Sequence, residues 1–319
     1  MFSLLEGFSE DRQTFQSDLI QSWLVEGFLK PIKGKTLEEA VEEYLKELID
    51  RNLIIVIDRG LGSPPELVMH DLLRDLCLRE SQKQHFIRVP RIQHVTFAKE
   101  GIDKCFICCD DSTPENLDLP EVNIASQSTS LASLFVCKDC KNMYSGLSRL
   151  RVVRMKYFDD TNLEFLHPTR LRCLKIFGGL DLEFTTSSTA LPFLWNLQIL
   201  DTQYLKVLPY ETWDMPQLRH ITSIWRTLLD PVVTQDCTIL ENLQTLTDIQ
   251  GLRCTDEVIK RIPNIKKLSI GYTRSDVEWS NYCLYNLALL RKLEWLMLMA
   301  PDLSKEHIAF PSSLKRLQL

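Results

Sequence analysis

Four stretches decide the fold: LRCLKI (171–176), IKKLSI (265–270), LEWLML (293–298) and LKRLQL (314–319). Each fits the template L-x-x-L-x-L. Looser copies bring the set to nine, whose first apolar positions are Leu131, Leu150, Leu171, Leu197, Leu218, Leu243, Ile265, Leu293 and Leu314. These lie 19 to 28 residues apart, about 23 on average, within the ~20–29 residues of leucine-rich repeats. Positions four and six of each copy alternate as in a half-buried strand, so successive copies predict neighbouring strands of one parallel sheet. The expected fold class is an α/β leucine-rich-repeat solenoid, a horseshoe with a parallel sheet, preceded by a mainly α winged-helix module. Thr202, Ser223 and Asp248 occupy sixth positions where an apolar residue belongs, which predicts irregularity there. The sequence stops on a strand at Leu319 with no polar capping repeat, and on that ground it reads as truncated.

The first 85 residues follow different rules. SDLIQSWLVEGFL aligns Leu19, Ile20, Trp23, Leu24 and Phe28 on one helical face, with Ser17 or Asp18 as cap. Thr36 followed by Glu39 forms a capping box for a second helix with a stripe of Leu37, Ala40, Val41, Tyr44, Leu45, Leu48 and Ile49. NLIIVID (52–58), a Gly/Pro turn and ELVMH read as a hairpin, and Asp71 can cap a third helix, LLRDLCLRESQ. Helix, helix, hairpin and helix suggest a winged helix. The expected domains are therefore 1–85 winged helix, 86–130 a connector whose 110–121 stretch carries five acidic residues and no basic one, and 131–319 the repeats.

The 319 residues are 45% hydrophobic and 25% charged, with net charge -6, values of a globular chain rather than a disordered one. No apolar run approaches the ~20 residues that span a bilayer, and no signal peptide is visible. Ten cysteines without such a signal point to reduced thiols and a cytoplasmic location, or one peripheral at membranes. The second helix, the recognition helix of a DNA-binding winged helix, carries six acidic residues against Lys46 and Arg51. Phosphates would repel it, so no nucleic-acid partner is expected. Gly34-Lys35-Thr36 ends like a phosphate-binding loop, but the glycine required five positions earlier is Leu29. Cys105/Cys108 and Cys137/Cys140 have the C-x-x-C spacing of zinc half-sites. Strand alternation splits the first pair, so no metal is expected. No nucleophile–base arrangement stands out, and the chain reads as a non-enzyme.

A winged helix ending in Val68-Met69-His70-Asp71, followed by LLRDLCLRE and leucine-rich repeats, resembles the plant intracellular immune receptors with nucleotide-binding and leucine-rich-repeat domains. SEDRQTFQSDLIQSWLVEGFLKPIKGKTLEEAVEEYLKELIDRNLI and LPYETWDMPQLRHI look most like the late blight resistance group of nightshade plants. The resemblance implies a receptor fragment, since Met1 would fall inside the nucleotide-binding region of intact members. It implies that His70 contacts the phosphate of ADP in an intact receptor, with Asp71 as supporting cap. ADP or ATP would be the cofactor of intact members, and none is expected for this fragment alone. It also implies a pathogen effector or guarded host protein as partner of the repeats, leading to defence and hypersensitive cell death. The alternative is a free-standing repeat scaffold or decoy with no nucleotide switch.

The repeats carry a charge column of their own. Template positions two, three and five point outward on the concave side and hold nine basic residues: Arg151, Arg154, Arg172, Lys175, Arg219, Lys266, Lys267, Lys315 and Arg316. Only Asp201 and Glu294 oppose them. Such a column suits an acidic surface, and two lie in the same chain, the second helix and the 110–121 stretch. Docking between repeats and winged helix is therefore expected, through exposed pairs of ~0–1 kcal/mol each, multivalent and salt-sensitive.

Overall fold

The computed structural model describes residues 14–26, 32–57, 66–83, 86–89, 104–108, 133–136, 152–156, 171–177, 194–202, 207–208, 210–232, 237–273, 279–300 and 308–319. The acidic 110–121 stretch, Cys137, Cys140 and Arg151 lie outside them.

The winged helix opens with a short strand, β1 (Thr14–Phe15), running directly into α1 (Gln16–Glu26). The helix thus begins ahead of Ser17 and Asp18, and Asp18 falls in its first turn rather than at its cap. α2 (Leu37–Asp50) starts at the expected capping box: Thr36 Oγ1 accepts from the Glu39 N–H, and the Glu39 carboxylate accepts from the Thr36 N–H. β2 (Ile54–Ile57) and β3 (Glu66–Met69) pair antiparallel, β1 adds to the free side of β3, and α3 (Asp71–Lys83) follows. Leu19, Trp23, Val41, Leu45, Ile54, Leu67 and Met69 pack into one core. The stripes of α1 and α2 are thereby consumed against the hairpin.

Each template copy becomes one rung of a parallel sheet, the strand starting two residues after the first apolar position. The sheet runs in sequence order through β4 (Phe86–Val89), β5 (Lys104–Cys108), β6 (Ser133–Val136), β7 (Val152–Lys156), β8 (Cys173–Phe177) and β9 (Ile199–Thr202). It continues through β11 (His220–Leu228), β12 (Thr245–Gln250), β13 (Lys267–Gly271), β14 (Trp295–Met299) and β15 (Arg316–Gln318), while β10 (Val207–Leu208) pairs with β11 alone. β4 and β5 fall within the stretch read from sequence as a connector, yet both pair as rungs. Ile87 and Val89 in β4, and Cys105 and Ile107 in β5, hold the template's fourth and sixth positions, so the repeat pattern extends ahead of the nine copies read from sequence.

Template positions one, four and six face inward. Leu197, Leu200, Leu243, Leu246, Ile265, Leu268, Ile270, Leu293, Leu296 and Leu298 are completely buried in one core. On the convex side the returns are short: a 3-10 turn Tyr210–Asp214, α4 (Asp256–Arg261) and 3-10 turns Trp279–Tyr282 and Leu284–Leu289. Buried Asn286 ties two of these together, donating to the Cys254 carbonyl at 3.0 Å and to Asp256 at 2.9 Å.

In the last copy the equivalent apolar positions are uncovered. Leu317 is 41% and Leu319 71% exposed, against none for Leu296 and Leu298. With one hydrogen-bonding edge and little burial, β15 should open locally far more often than β13. Hydrogen exchange of the 319-residue chain should show the amides of Arg316–Gln318 exchanging fastest among β12 to β15. Equal protection across these strands would contradict this.

Candidate functional site

Two regions carry the sequence-predicted residues. At the first, α3 begins at Asp71, so the capping position falls to His70 rather than to Asp71. The exposed His70 ring accepts the Leu72 N–H on Nδ1 at 3.3 Å, and its carbonyl accepts from Leu73 at 2.9 Å. An Nδ1 that accepts carries no proton, so the proton of the neutral ring sits on Nε2, as a donor. Gly34, at φ +84°, makes the turn into the Thr36 cap.

The second region is the concave face. Lys175, 1% exposed, places Nζ 2.6 Å from Asp18 Oδ1 of α1 and 3.8 Å from Asp201. Arg172 donates to the Val25 carbonyl at the end of α1, 3.3 Å away. Val25 itself is fully buried among Val152, Cys173 and Ile199 of β7, β8 and β9. From α2, Glu38 accepts from Arg219 at 2.8 Å and from Gln244 at 2.7 Å, and Glu39 accepts from Lys266 at 3.0 Å. His220 stands with Nε2 3.6 Å from Glu38, too far for a hydrogen bond and near enough for an imidazolium to attract it.

Lys175, Glu38, His220 and Gln244 are buried, and Arg172, Arg219, Lys266 and Glu39 half-buried, rather than exposed as the charge column suggested. Burial alone would raise the Glu38 carboxyl; His220 and the Arg219 charge outweigh it and hold it at about 2, against an ordinary 4.5. Asp18 was read from sequence only as a possible helix cap, and Gln244 and His220 went unnoticed, although they occupy the same outward template positions as the basic residues. Lys267, Lys315 and Arg316 stay exposed, and Lys315 pairs with Glu294 at 3.0 Å. The side chain of Arg154 lies outside the described residues.

The irregularity expected in three central copies appears in two of them as bulges, whereas Thr202 stays in regular register with Ile176 and Ser223. Register shifts between Thr222 and Arg226 in β11, and between Leu246 and Ile249 in β12. Each bulge holds a left-handed residue, Trp225 at φ +48° and Asp248 at φ +60°, rare for non-glycine residues and a true outlier for a bulky one. Asp248 escapes its inward slot by accepting from Ser269 Oγ at 3.0 Å. Burial raises its carboxyl above the ordinary carboxylate range, and the Ser269 hydrogen bond works against that rise. The Trp225 ring lies over Gly271, where an added Cβ would sit 2.6 Å from Cε3. Gly271→Ala should therefore dislodge the indole and cost about 1–3 kcal/mol. A chemical-denaturation midpoint and an emission spectrum unchanged from wild type would refute this.

Cys105 and Cys108 fall within strand β5. Among the described residues no group of three His, Cys, Asp or Glu side chains could hold a metal, and no helix is long and apolar enough to cross a membrane.

Comparison with known proteins gives the two modules a context. A family model described as the winged helix domain of disease resistance proteins matches residues 8–77. The chain is 27% identical over 292 residues to a late blight resistance protein of Solanum demissum, covering 84% of this chain and 22% of that protein. A late blight resistance protein homolog of the same species is 26% identical over 297 residues, with the same coverage. The chain thus spans about a fifth of the length of these relatives. A solved leucine-rich-repeat protein of Leptospira interrogans is 18% identical, with TM-score 0.31 over 59% of this chain and 43% of that one. Residues 8–77 thus match the winged helix of disease resistance proteins, and over 84% of its length the chain is similar to late blight resistance proteins.

Proposed function

We propose that this chain is the winged-helix and repeat portion of a plant disease-resistance receptor, in which the repeats restrain a nucleotide-dependent switch until a pathogen effector or guarded host protein engages them. The observation that carries the reading is Glu38, a buried carboxylate on a helix whose Glu42, Glu43, Glu47 and Asp50 are exposed, hydrogen-bonded to Arg219 and Gln244 of two different repeats. A buried charge is retained at a cost unless paired, so this residue marks where the modules are tied. In an intact cytoplasmic receptor His70 would supply one Nε2–H to a phosphate of ADP, holding the off state, and Asp71 would favour the start of α3. The acts performed by this chain's own residues are binding and restraint, not bond-making chemistry.

One donor cannot replace a cradle of backbone amides. The 319-residue chain alone should bind ADP no tighter than about millimolar; calorimetry giving micromolar affinity would contradict this. The function itself is tested in a full-length receptor carrying this segment. Arg219→Glu should trigger hypersensitive cell death without a pathogen. A quiescent variant whose α2 is demonstrably released would favour a scaffold or decoy without a switch.

A further inference from the structure

The helices of the winged helix cover only part of the concave face. Among the described residues, the hydrogen bonds from those helices to the charge column reach as far as Lys266, which meets Glu39. Beyond it, register across β13, β14 and β15 aligns Lys267, Trp295 and Arg316 in one row and Ser269, Met297 and Gln318 in the next. Strand alternation sets these rows on the side opposite buried Leu268 and Leu296, the concave one. Gly271 and Met299 begin a third row, with the Trp225 ring over Gly271 and Met299 49% exposed.

The chemistry of this surface is mixed. A half-buried indole lies between two exposed cations, and neither Lys267 nor Arg316 makes an ion pair among the described residues. Among the described residues, Glu294 is engaged with Lys315 and Asp248 with Ser269. Tryptophan, methionine and arginine are the side chains that anchor interfaces, and thioethers adapt to varied partners. The neighbouring stretch of the column already displays what it accepts, two consecutive glutamates from α2 and an apolar Val25 from α1. The strained backbone at Trp225 holds the second indole out over the same side.

Resting on the reading of the repeats as a recognition surface, we infer that the row Lys267–Trp295–Arg316, with Trp225 and Met299 beyond it, receives an extended acidic segment of a partner protein that carries an apolar anchor. The partner's carboxylates meet Lys267 and Arg316, and its anchor settles against Trp295 and the thioethers. The column is thus divided. Arg172 to Lys266 hold the chain's own winged helix, and Lys267 to Arg316 face the partner.

The test selects displayed random peptides of about twelve residues against the whole 319-residue chain, then repeats the selection on Lys267→Glu/Arg316→Glu. The expected result is enrichment of Asp and Glu around an aromatic or aliphatic residue. Individual selected peptides should shift Trp emission on binding and bind the double variant weaker by on the order of tenfold. Far-ultraviolet circular dichroism and α2 hydrogen exchange of the variant should match wild type, since both positions are exposed and neither bonds to the winged helix among the described residues. Selection of basic or uncharged peptides, indifference to the reversals, or equal competition by oligothymidylate would overturn the inference while leaving a recognition surface in place. A library yielding no binders would overturn the inference and the recognition reading together. Release of α2 by Arg219→Glu is a separate measurement, so restraint and recognition can fail independently.

Discussion

Arg219→Glu releases α2 from the concave face. Glu38 would then meet a second carboxylate at the position of its present 2.8 Å partner, in a site where its own exposure is only 6%. Removing one member of a buried pair costs about 3–5 kcal/mol, because the survivor stays desolvated and unpaired. The module contact should open, visible as faster exchange along Leu37–Asp50 and as a lower denaturation midpoint. The milder Glu38→Gln keeps the acceptor from Gln244 and removes the charge. Its effect should depend on pH in a set direction. The folded Glu38 carboxyl sits at about 2, below the ordinary 4.5. Its contribution, about 3 kcal/mol, is therefore fully present above 4.5 and is lost as pH falls from 4.5 toward 2. Wild type and Glu38→Gln should differ in midpoint near about pH 6 and converge near about pH 2. A constant gap across that range would assign the effect to packing.

The second large effect is expected at Trp213. In LPYETWDMPQLRHI the turn Tyr210–Asp214 drives this indole into the repeat core, where it is 1% exposed and donates Nε1–H to the Leu229 carbonyl at 2.7 Å. Asp214 beside it stands 3.5 Å from Arg261, itself buried in α4. Trp213→Ala should cost about 3–5 kcal/mol and loosen β11 and β12 together. Trp213→Phe keeps most of the apolar area and loses the hydrogen bond, costing about 1–3 kcal/mol. Guanidinium titrations and hydrogen exchange of both variants check this. An alanine variant no less stable than the phenylalanine one would refute it.

Much of the fold was legible because its signals are local and repeated. The template places the starts of nine strands, β6 to β9 and β11 to β15, and Thr36 with Glu39 fixes the start of α2. What escaped the sequence is tertiary. β4 and β5 were assigned to a connector although Ile87/Val89 and Cys105/Ile107 alternate as the template does; only the pairing of β4 with β5 and of β5 with β6 shows them to be rungs. Asp248 looked like a core defect, yet a left-handed bulge turns it onto Ser269. The cap of α3 passed to His70 because ring nitrogens can accept as carboxylates do. The charge column was readable, whereas its burial was not. Buried Lys175 meets Asp18 of a helix 157 positions away, and no window of sequence contains both.

The proposed restraint of the winged helix by the repeats has one direct test, zero-length carbodiimide cross-linking of the 319-residue chain followed by mass spectrometry. Lys266 Nζ and Glu39 Oε1 lie 3.0 Å apart across 227 positions of sequence, and Lys175 Nζ and Asp18 Oδ1 lie 2.6 Å apart across 157. Cross-links Lys266–Glu39 and Lys175–Asp18 should both form in wild type, and the first should disappear in Arg219→Glu. If Lys266 and Lys175 link only to carboxylates of the repeats, and Glu39 only to lysines of the winged helix, the two modules are not docked in this way and the restraint falls.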